Sequence, residues 1–459
     1  MEKLETAASP DELRAALEAE GVRYFFGAYV DVHGVPKSKC VPIDKLAKAA
    51  AGSELYTVGA LEGMGELGPN EDECEGIPDL GAVTVLPWDA RYAIAPAELR
   101  LHGLPYSHDS RHVLRRQLDA AAELGYAFNL GVEPEVYVLR DDGGAGRPFV
   151  AEDLLNEPTR GYDVETTILA DPFLEPMVGY INALGWDVYS FDHEGGHGQY
   201  EFDFRYTDGL AMCDRMLIFR LMAKHVARTL GCYATFMPKP FSDSFGSGAH
   251  LNMSLADLET GENAFDAGTN GRGPTRGGYT ELAHRFTAGI LRHAGAICAV
   301  ACPTVNSYKR LLPYGLMREI TWAPVFRAWG ENNRTLMCRL PANRKAVELR
   351  IADSACNFYL TAAITLAAGL RGIRDALDAG DPVNDDTYAL SADDLRERGL
   401  RRLPRTLGEA IDEFEADGLA AEVFGPEFHQ TYVSYKRQEW DTYNTVVGEW
   451  ERTQYLRLW

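Results

Sequence analysis

An apolar run over residues 126–139, carrying Phe128, Leu130, Val132, Val136, Tyr137, Val138 and Leu139, predicts a core strand. Two acids, Glu133 and Glu135, interrupt it, and residues two apart on a strand share a face. Further strand patterns fall at 24–32, 82–86, 187–191, 199–206, 232–237, 249–255, 335–340 and 346–351. Alternation is cleanest over 199–206, with Glu201, Asp203 and Arg205 on one face and Phe202, Phe204 and Tyr206 on the other. A first helix is signalled by Ser9 as N-cap, Pro10 at the first helical position and Glu12 three residues after Ser9. Helical patterns follow at 111–124, stopped by Gly125, and at 164–184, 209–230, 279–294 and 355–376, with a long aromatic-rich segment from about 408. Residues 59–80, rich in glycine and acid, read as an ordered loop or lid, and 141–147 as a low-complexity linker. The strands are often short and polar on one face, unlike those of a doubly wound parallel sheet. The expected fold is therefore α+β, with a large antiparallel sheet forming a cleft and helices behind it.

The length of 459 residues implies two domains, one small and one large, with a boundary near 103–107. A net charge of −23 argues against nucleic acid or an anionic membrane as partner. No run of about eighteen apolar residues exists to span a bilayer, and the charged N-terminus has no signal-peptide pattern. The eight cysteines contain no Cys-x-x-Cys pair, which suits buried, reduced thiols in a cytoplasmic protein.

Two like charges side by side in a core strand need cations, and hard divalent metals with oxygen ligands are the natural candidates. A second acidic cluster, His193-Glu-Gly-Gly-His197, matches the zinc-protease spacing, which functions only on a helix. Glycine costs about 1 kcal/mol per residue in a helix, so Gly195, Gly196 and Gly198 favour strand, turn, strand instead, with Glu194 ending one strand and Glu201 opening the next. His250, Asn252 and Ser254 share a strand face after Phe245-Gly-Ser-Gly248, and Glu348 shares one with Arg350. Arg310, Arg334, Arg339 and Arg350 supply cations suited to phosphate and carboxylate. Metals and arginines around one cleft are the equipment of phosphoryl transfer.

These segments resemble the glutamine synthetase family, in order and over nearly the full length. The matching stretches are Gly131-Val-Glu-Pro-Glu135, His193-Glu…Gly198-Gln-Tyr-Glu201, Gly246-Ser-Gly-Ala-His250, Asn306-Ser-Tyr-Lys-Arg310, Asn333-Arg334 and Glu348-Leu-Arg350. The resemblance implies an N-terminal β-grasp domain over 1–104 and a catalytic domain with a curved antiparallel sheet over 105–459. It also implies a dodecamer of two hexameric rings with sites between neighbouring subunits. It assigns Glu135, Glu194 and Glu201 to one magnesium or manganese ion, and Glu133, His250 and Glu348 to another. Gly246, Arg310 and Arg350 would hold glutamate, Arg334 and Arg339 would meet the transferring phosphate, and Asn252, Ser254 and Tyr206 would lie near ATP. Tyr206 would need a bend or bulge, since its parity is opposite to that of Glu201.

The sequence departs from the ammonia-using pattern at the expected amine site. The family's glutamate before Ala-Pro-Val is Trp322 here, and the asparagine before Gly-Ser-Gly is Phe245. The loop before Trp322 is longer and contains Glu319, while Glu62 and Glu66 are the nearest acids to a loop the neighbouring subunit would supply. Aromatic faces suit an alkyl or aryl amine better than bare ammonium. The pattern is similar to the type III branch, which includes γ-glutamylmethylamide synthetase. The expected activity is ATP-dependent joining of glutamate to such an amine through a γ-glutamyl phosphate. Ordinary glutamine synthesis with Glu319 as base is the alternative. A catalytically dead scaffold or sensor is disfavoured, because all six ligand positions hold competent residues.

Overall fold

Ser9 accepts a hydrogen bond from the backbone N–H of Glu12 at 3.3 Å and starts the helix Pro10–Ala19, which buries Leu13 and Leu17. These pack with Phe25, Val41, Ile43 and Leu46 in a small core beneath an eight-stranded sheet. In that sheet Tyr24–Val30 runs parallel to Tyr92–Leu101 and antiparallel to Pro36–Lys37 and Cys40–Pro42. The structure, a computed structural model, describes residues 9–65, 68, 70–144, 146–149, 155, 161–268, 277–316 and 320–459.

Arg111, with 4% of its side chain exposed, bonds Asp79 at 2.8 Å, Glu98 at 3.1 Å and Asp214 at 3.0 Å. It thereby ties the N-terminal sheet to the helices Ser110–Glu123 and Gly209–Thr229. The neighbouring Asp109 is buried and accepts from the backbone N–H groups of Leu99 at 2.6 Å and His112 at 2.7 Å, capping the first of those helices. Asp109→Ala should cost about 1–2 kcal/mol, the usual scale for a lost N-cap. The expected reading is a lower urea midpoint at unchanged slope; a midpoint equal to the parent's would mean that other contacts hold the helix start.

A ten-stranded sheet carries the polar strands. Its order is Val188–His193, Gln199–Phe204, Tyr126–Arg140, Ala249–Asp257, Val347–Leu349, Leu336–Arg339 and Phe326–Gly330, and three short strands also pair with Tyr126–Arg140. Every pairing in it is antiparallel except the last, Phe326–Gly330 with Leu336–Arg339. The helix Phe358–Arg374 is buried along most of its length and crosses Glu281–Arg292 closely. A Cβ added at Gly289 would stand 1.9 Å from the Ala368 carbonyl oxygen, so only glycine permits that approach. The architecture is the expected mixed α+β fold, with the large sheet curled into a half-barrel.

Several local expectations are corrected. The 59–80 stretch is not loop throughout: Cys74–Pro78 is a strand, and Met64 is fully buried. Residues 141–147 do not form a linker. Their described residues, 141–144 and 146–147, belong to a hairpin in which Arg147 pairs with Arg140 and the Asp141 and Asp142 side chains accept from the backbone N–H groups of Gly143 and Gly144. Cys40 is exposed, while the other seven cysteines are buried. The buried helix Ala294–Ala301 was not anticipated, because it has no polar face to create a period. Among the described residues no helix is long and apolar enough to cross a membrane.

Candidate active site

Strand register assembles the site. On Tyr126–Arg140, Glu133 lies opposite His250 and Glu135 opposite Glu201. On the next pairing Glu348 lies opposite both Asn252 and Arg339. The result is two clusters, Glu133–His250–Glu348 and Glu135–Glu194–Glu201, whose candidate ligand atoms lie within 4.8 Å of one another. These are the groupings the resemblance implied.

Glu194 stands where Val188–His193 gives way to a turn, so the His-Glu-Gly-Gly-His pattern is not helical and the zinc-protease geometry is absent. The glycines are dictated by space. A Cβ on Gly196 would sit 1.9 Å from the Tyr137 hydroxyl, and one on Gly195 2.7 Å from the Phe245 ring. The Tyr137 hydroxyl donates to the Phe245 carbonyl at 2.7 Å, fixing the Phe245-Gly-Ser-Gly loop. In the Asn306–Arg310 motif, Asn306 exchanges two hydrogen bonds with the Lys239 backbone, at 2.7 and 3.0 Å. Arg310 donates to the carbonyls of Ile351 at 2.8 Å and Arg350 at 3.1 Å.

The two clusters have opposite electrostatics. Burial first, then Glu194, pushes the Glu135 carboxyl up to about 8. Burial, then Glu135 and Glu194, drives Glu201 well above the ordinary range. Three converging carboxylates, two of them held from ionising by burial and like charge, are a site for a hard divalent cation. Burial would also raise Glu348, but Arg350, His250, Arg339 and Arg344 outweigh it and hold the carboxyl at about 2. Burial, reinforced by Arg350, lowers His250 to about 4, so at neutral pH its imidazole is uncharged and able to ligate. Both donor sets fit the chemistry of a divalent ion.

A cavity of about 450 Å³ opens on the Glu135–Glu194–Glu201 cluster and is lined by Glu135, Glu194, Phe245, Gly246, His250, Arg310, Trp322, Arg334 and Arg350. Thus the residues expected for metal, glutamate, phosphate and amine meet in one space. Trp322 and Tyr162, both at its wall, hold left-handed backbone angles (φ +57° and +63°) and are largely exposed. A second cavity of about 360 Å³ is lined by Glu133, Tyr206, Asn252, Ser254, Arg344 and Lys345, among others. Tyr206 reaches it because the strand ends at Phe204, supplying the required bend; Phe202 and Phe204 are buried while Tyr206 is 60% exposed. Arg339 lines neither cavity but bonds Glu348 at 2.8 Å and Asn332 at 2.6 Å.

Other expected residues are placed elsewhere. Glu62 lies in a separate cavity with Tyr106, Glu427 and Tyr435, so one chain does not bring it to the clusters. Glu66 and Glu319 lie outside the described residues. Three side chains were missed: Tyr162; Gln199, which donates to Glu135 at 2.8 Å; and Arg344, 3.0 Å from both Glu133 and Glu348. The basic pair Arg344-Lys345 just before Glu348 was the available signal for the last.

A mostly antiparallel sheet presenting two acidic clusters and convergent arginines defines an enzyme class that handles phosphoryl groups with divalent cations. Residues 107–455 match the glutamine synthetase catalytic domain. The chain belongs to the glutamine synthetase family, whose members are ATP-dependent ligases that use divalent metals. It is 36% identical to glutamate–methylamine ligase of Methyloversatilis universalis over 98% of this chain and 100% of that one. It is 34% identical to glutamine synthetase of Staphylococcus aureus over 97% and 98%. A solved structure of GmaS in complex with ADP superposes with a TM-score of 0.88 at 32% identity, covering 97% of this chain and 99% of that one. Ligand-free GmaS superposes with a TM-score of 0.86 at 31% identity, with the same coverage.

Proposed function

We propose that this enzyme joins the side-chain carboxylate of glutamate to a small alkylamine of the methylamine class, converting ATP to ADP and phosphate. The observation that carries the reading is the aromatic wall of the arginine-lined cavity, where Trp322 and Phe245 stand with Glu194 at positions that the family resemblance gives to polar residues. The identity to glutamate–methylamine ligase over the whole chain supports it.

In this reading Gly246, Arg310 and Arg350 hold glutamate, Asn252, Ser254 and Tyr206 border the nucleotide, and Arg334 and Arg339 meet the transferring phosphoryl group. Glu135, Glu194 and Glu201 would hold one divalent ion and Glu133, His250 and Glu348 another, and such ions neutralise charge on phosphoryl oxygens. A carboxylate resists attack by an amine because of its charge and resonance. Moving the γ-phosphoryl of ATP onto it gives an acyl phosphate, whose phosphate leaves when a neutral amine attacks. Trp322, Phe245 and Tyr162 favour an amine with an apolar body.

The ions are magnesium or manganese, and the chain divides at 104/105 into a β-grasp domain and a catalytic domain; the family match beginning at residue 107 supports that boundary. Assembly is a dodecamer of two hexameric rings in which Glu62 and Glu66 approach a neighbour's site. Seven buried, unpaired cysteines support a reducing, cytoplasmic setting.

Phosphate release measured with ATP, Mg2+ and glutamate across ammonia, methylamine, ethylamine, isopropylamine, ethanolamine, aniline and putrescine tests the reading, with products confirmed by mass. Methylamine or another small alkylamine should exceed ammonia in kcat/KM by at least about a hundredfold, and Trp322→Glu should narrow that ratio by about tenfold or more, a change of about 1.4 kcal/mol. If ammonia wins in the parent enzyme, glutamine synthesis is the activity and Glu319 becomes the candidate base. An unchanged ratio in the variant would remove Trp322 from the amine site.

A further inference from the structure

Arg344 lies between the strands Leu336–Arg339 and Val347–Leu349, at the junction of the Glu133–His250–Glu348 cluster and the second cavity. One of its nitrogens, Nη2, lies 3.0 Å from Glu133 Oε1 and 3.0 Å from Glu348 Oε2. Glu348 Oε2 accepts from both Arg344 Nη2 and Arg339 Nη1, the latter at 2.8 Å, while Glu133 Oε1 accepts from Asn252 Nδ2 at 2.9 Å and forms an ion pair with Arg344. A carboxylate oxygen has about two lone-pair sites, so Arg344 completes the set on that oxygen of Glu348.

A divalent ion bound by the same two acids would bring a second cation onto a carboxylate pair already bridged by a first. Like charges that close repel strongly in a site of low dielectric, so the least firmly held cation yields. Side-chain exposure separates the candidates: Arg350 is 5% exposed and Arg339 13%, against 37% for Arg344. Arg344 is also the cation of the three with an orphaned group, since its buried Nε has no hydrogen-bond partner. A guanidinium with an unused donor, beside a cavity that also receives Asn252, Ser254 and Tyr206, is suited to phosphate oxygens.

We propose that Arg344 is an exchangeable internal cation. It bridges Glu133 and Glu348 until a divalent ion takes its place, then turns into the adjoining cavity to bind a nucleotide phosphate. The exchange makes metal and nucleotide binding mutually reinforcing, beyond any direct metal–phosphate contact. This inference rests on the proposed metal and nucleotide sites.

Mn2+ binding to the intact protein, followed by electron paramagnetic resonance with and without ADP, provides the test. The relevant site is the one lost in Glu133→Gln. With Mn2+ alone, Arg344→Gln should tighten that site about threefold to tenfold, since two partly exposed ion pairs no longer compete. ADP should then add correspondingly less than in the parent. Lys345→Gln removes an equal charge next door, from a side chain that, among the described residues, bonds the carbonyls of Gly277 and Ala342 and lies over the Tyr279 ring. It should leave the affinity for Mn2+ alone within about twofold. Should Arg344→Gln fail to fold, Arg344→Lys, which keeps the charge and loses the fork, should show an intermediate tightening. Unchanged Mn2+ affinity in the Arg344 variant, or equal tightening in Lys345→Gln, would overturn the exchange while leaving the ligase reading intact. Absence of Mn2+ binding by the parent protein would overturn both.

Discussion

Glu135→Ala is expected to lower ligase turnover by about a thousandfold or more, the scale on which one charged contact to a transferring phosphoryl group matters. The isosteric Glu135→Gln should not weaken the metal-free protein. Glu135 is 6% exposed and shares its cluster with Glu194 and Glu201, and burial and Glu194 together push its carboxyl from 4.5 up to about 8. A carboxyl whose folded value is raised favours the folded state most at low pH, below its unfolded value. That contribution is lost as pH rises through about 8. In chelator, therefore, the parent protein should lose stability between about pH 5 and 8, and the isosteric Glu135→Gln should flatten that slope. Adding Mg2+ or Mn2+ should raise the Tm of Glu135→Gln, which keeps the Glu133–His250–Glu348 site, less than it raises the parent's. Near-normal turnover, or an equal metal-induced rise in Tm, would show that the Glu135 cluster is not a metal site.

What the sequence made legible follows from period and spacing. The two acids of residues 133–135 sit in a run whose strand character is unambiguous, and Glu194 and Glu201 flank a turn that only glycines fit. Both features are local, so they survive without knowledge of the partner strands. Arg344 was not legible for the opposite reason. Its position between Glu133 and Glu348 depends on two successive long-range pairings, of Tyr126–Arg140 with Ala249–Asp257 and of Ala249–Asp257 with Val347–Leu349. The strand Cys74–Pro78 was hidden by its glycine, proline and acid, residues depleted from strands in general; its pairing with Tyr92–Leu101 overrides that bias. Tyr206 shows the limit of parity, since alternation holds only as far as the strand itself, which stops at Phe204. Glu62 marks another boundary, because the contacts of one chain place it in a cavity apart from both acidic clusters.

Glu348→Ala is expected to fail in a different way, losing both turnover and stability. Glu348 is fully buried, and Arg339, Arg344 and Arg350 all bond its two oxygens, with His250 beside them. Those cations hold its carboxyl at about 2 against the opposing effect of burial, so the acid is charged because of them and they are tolerated because of it. Removing it leaves two largely buried guanidinium groups, those of Arg339 and Arg350, without their common counter-charge. Breaking such a pair by deleting one partner costs about 3–5 kcal/mol, against the neutral or favourable change expected at Glu135. For a chain of this size the corresponding fall in Tm is about 5 °C. Measured side by side in chelator, Glu135→Gln should melt at or above the parent and Glu348→Ala clearly below it, with both inactive. If Glu348→Ala melts within a degree of the parent, the three arginines are satisfied by other groups, and Glu348 cannot be the charge that organises them.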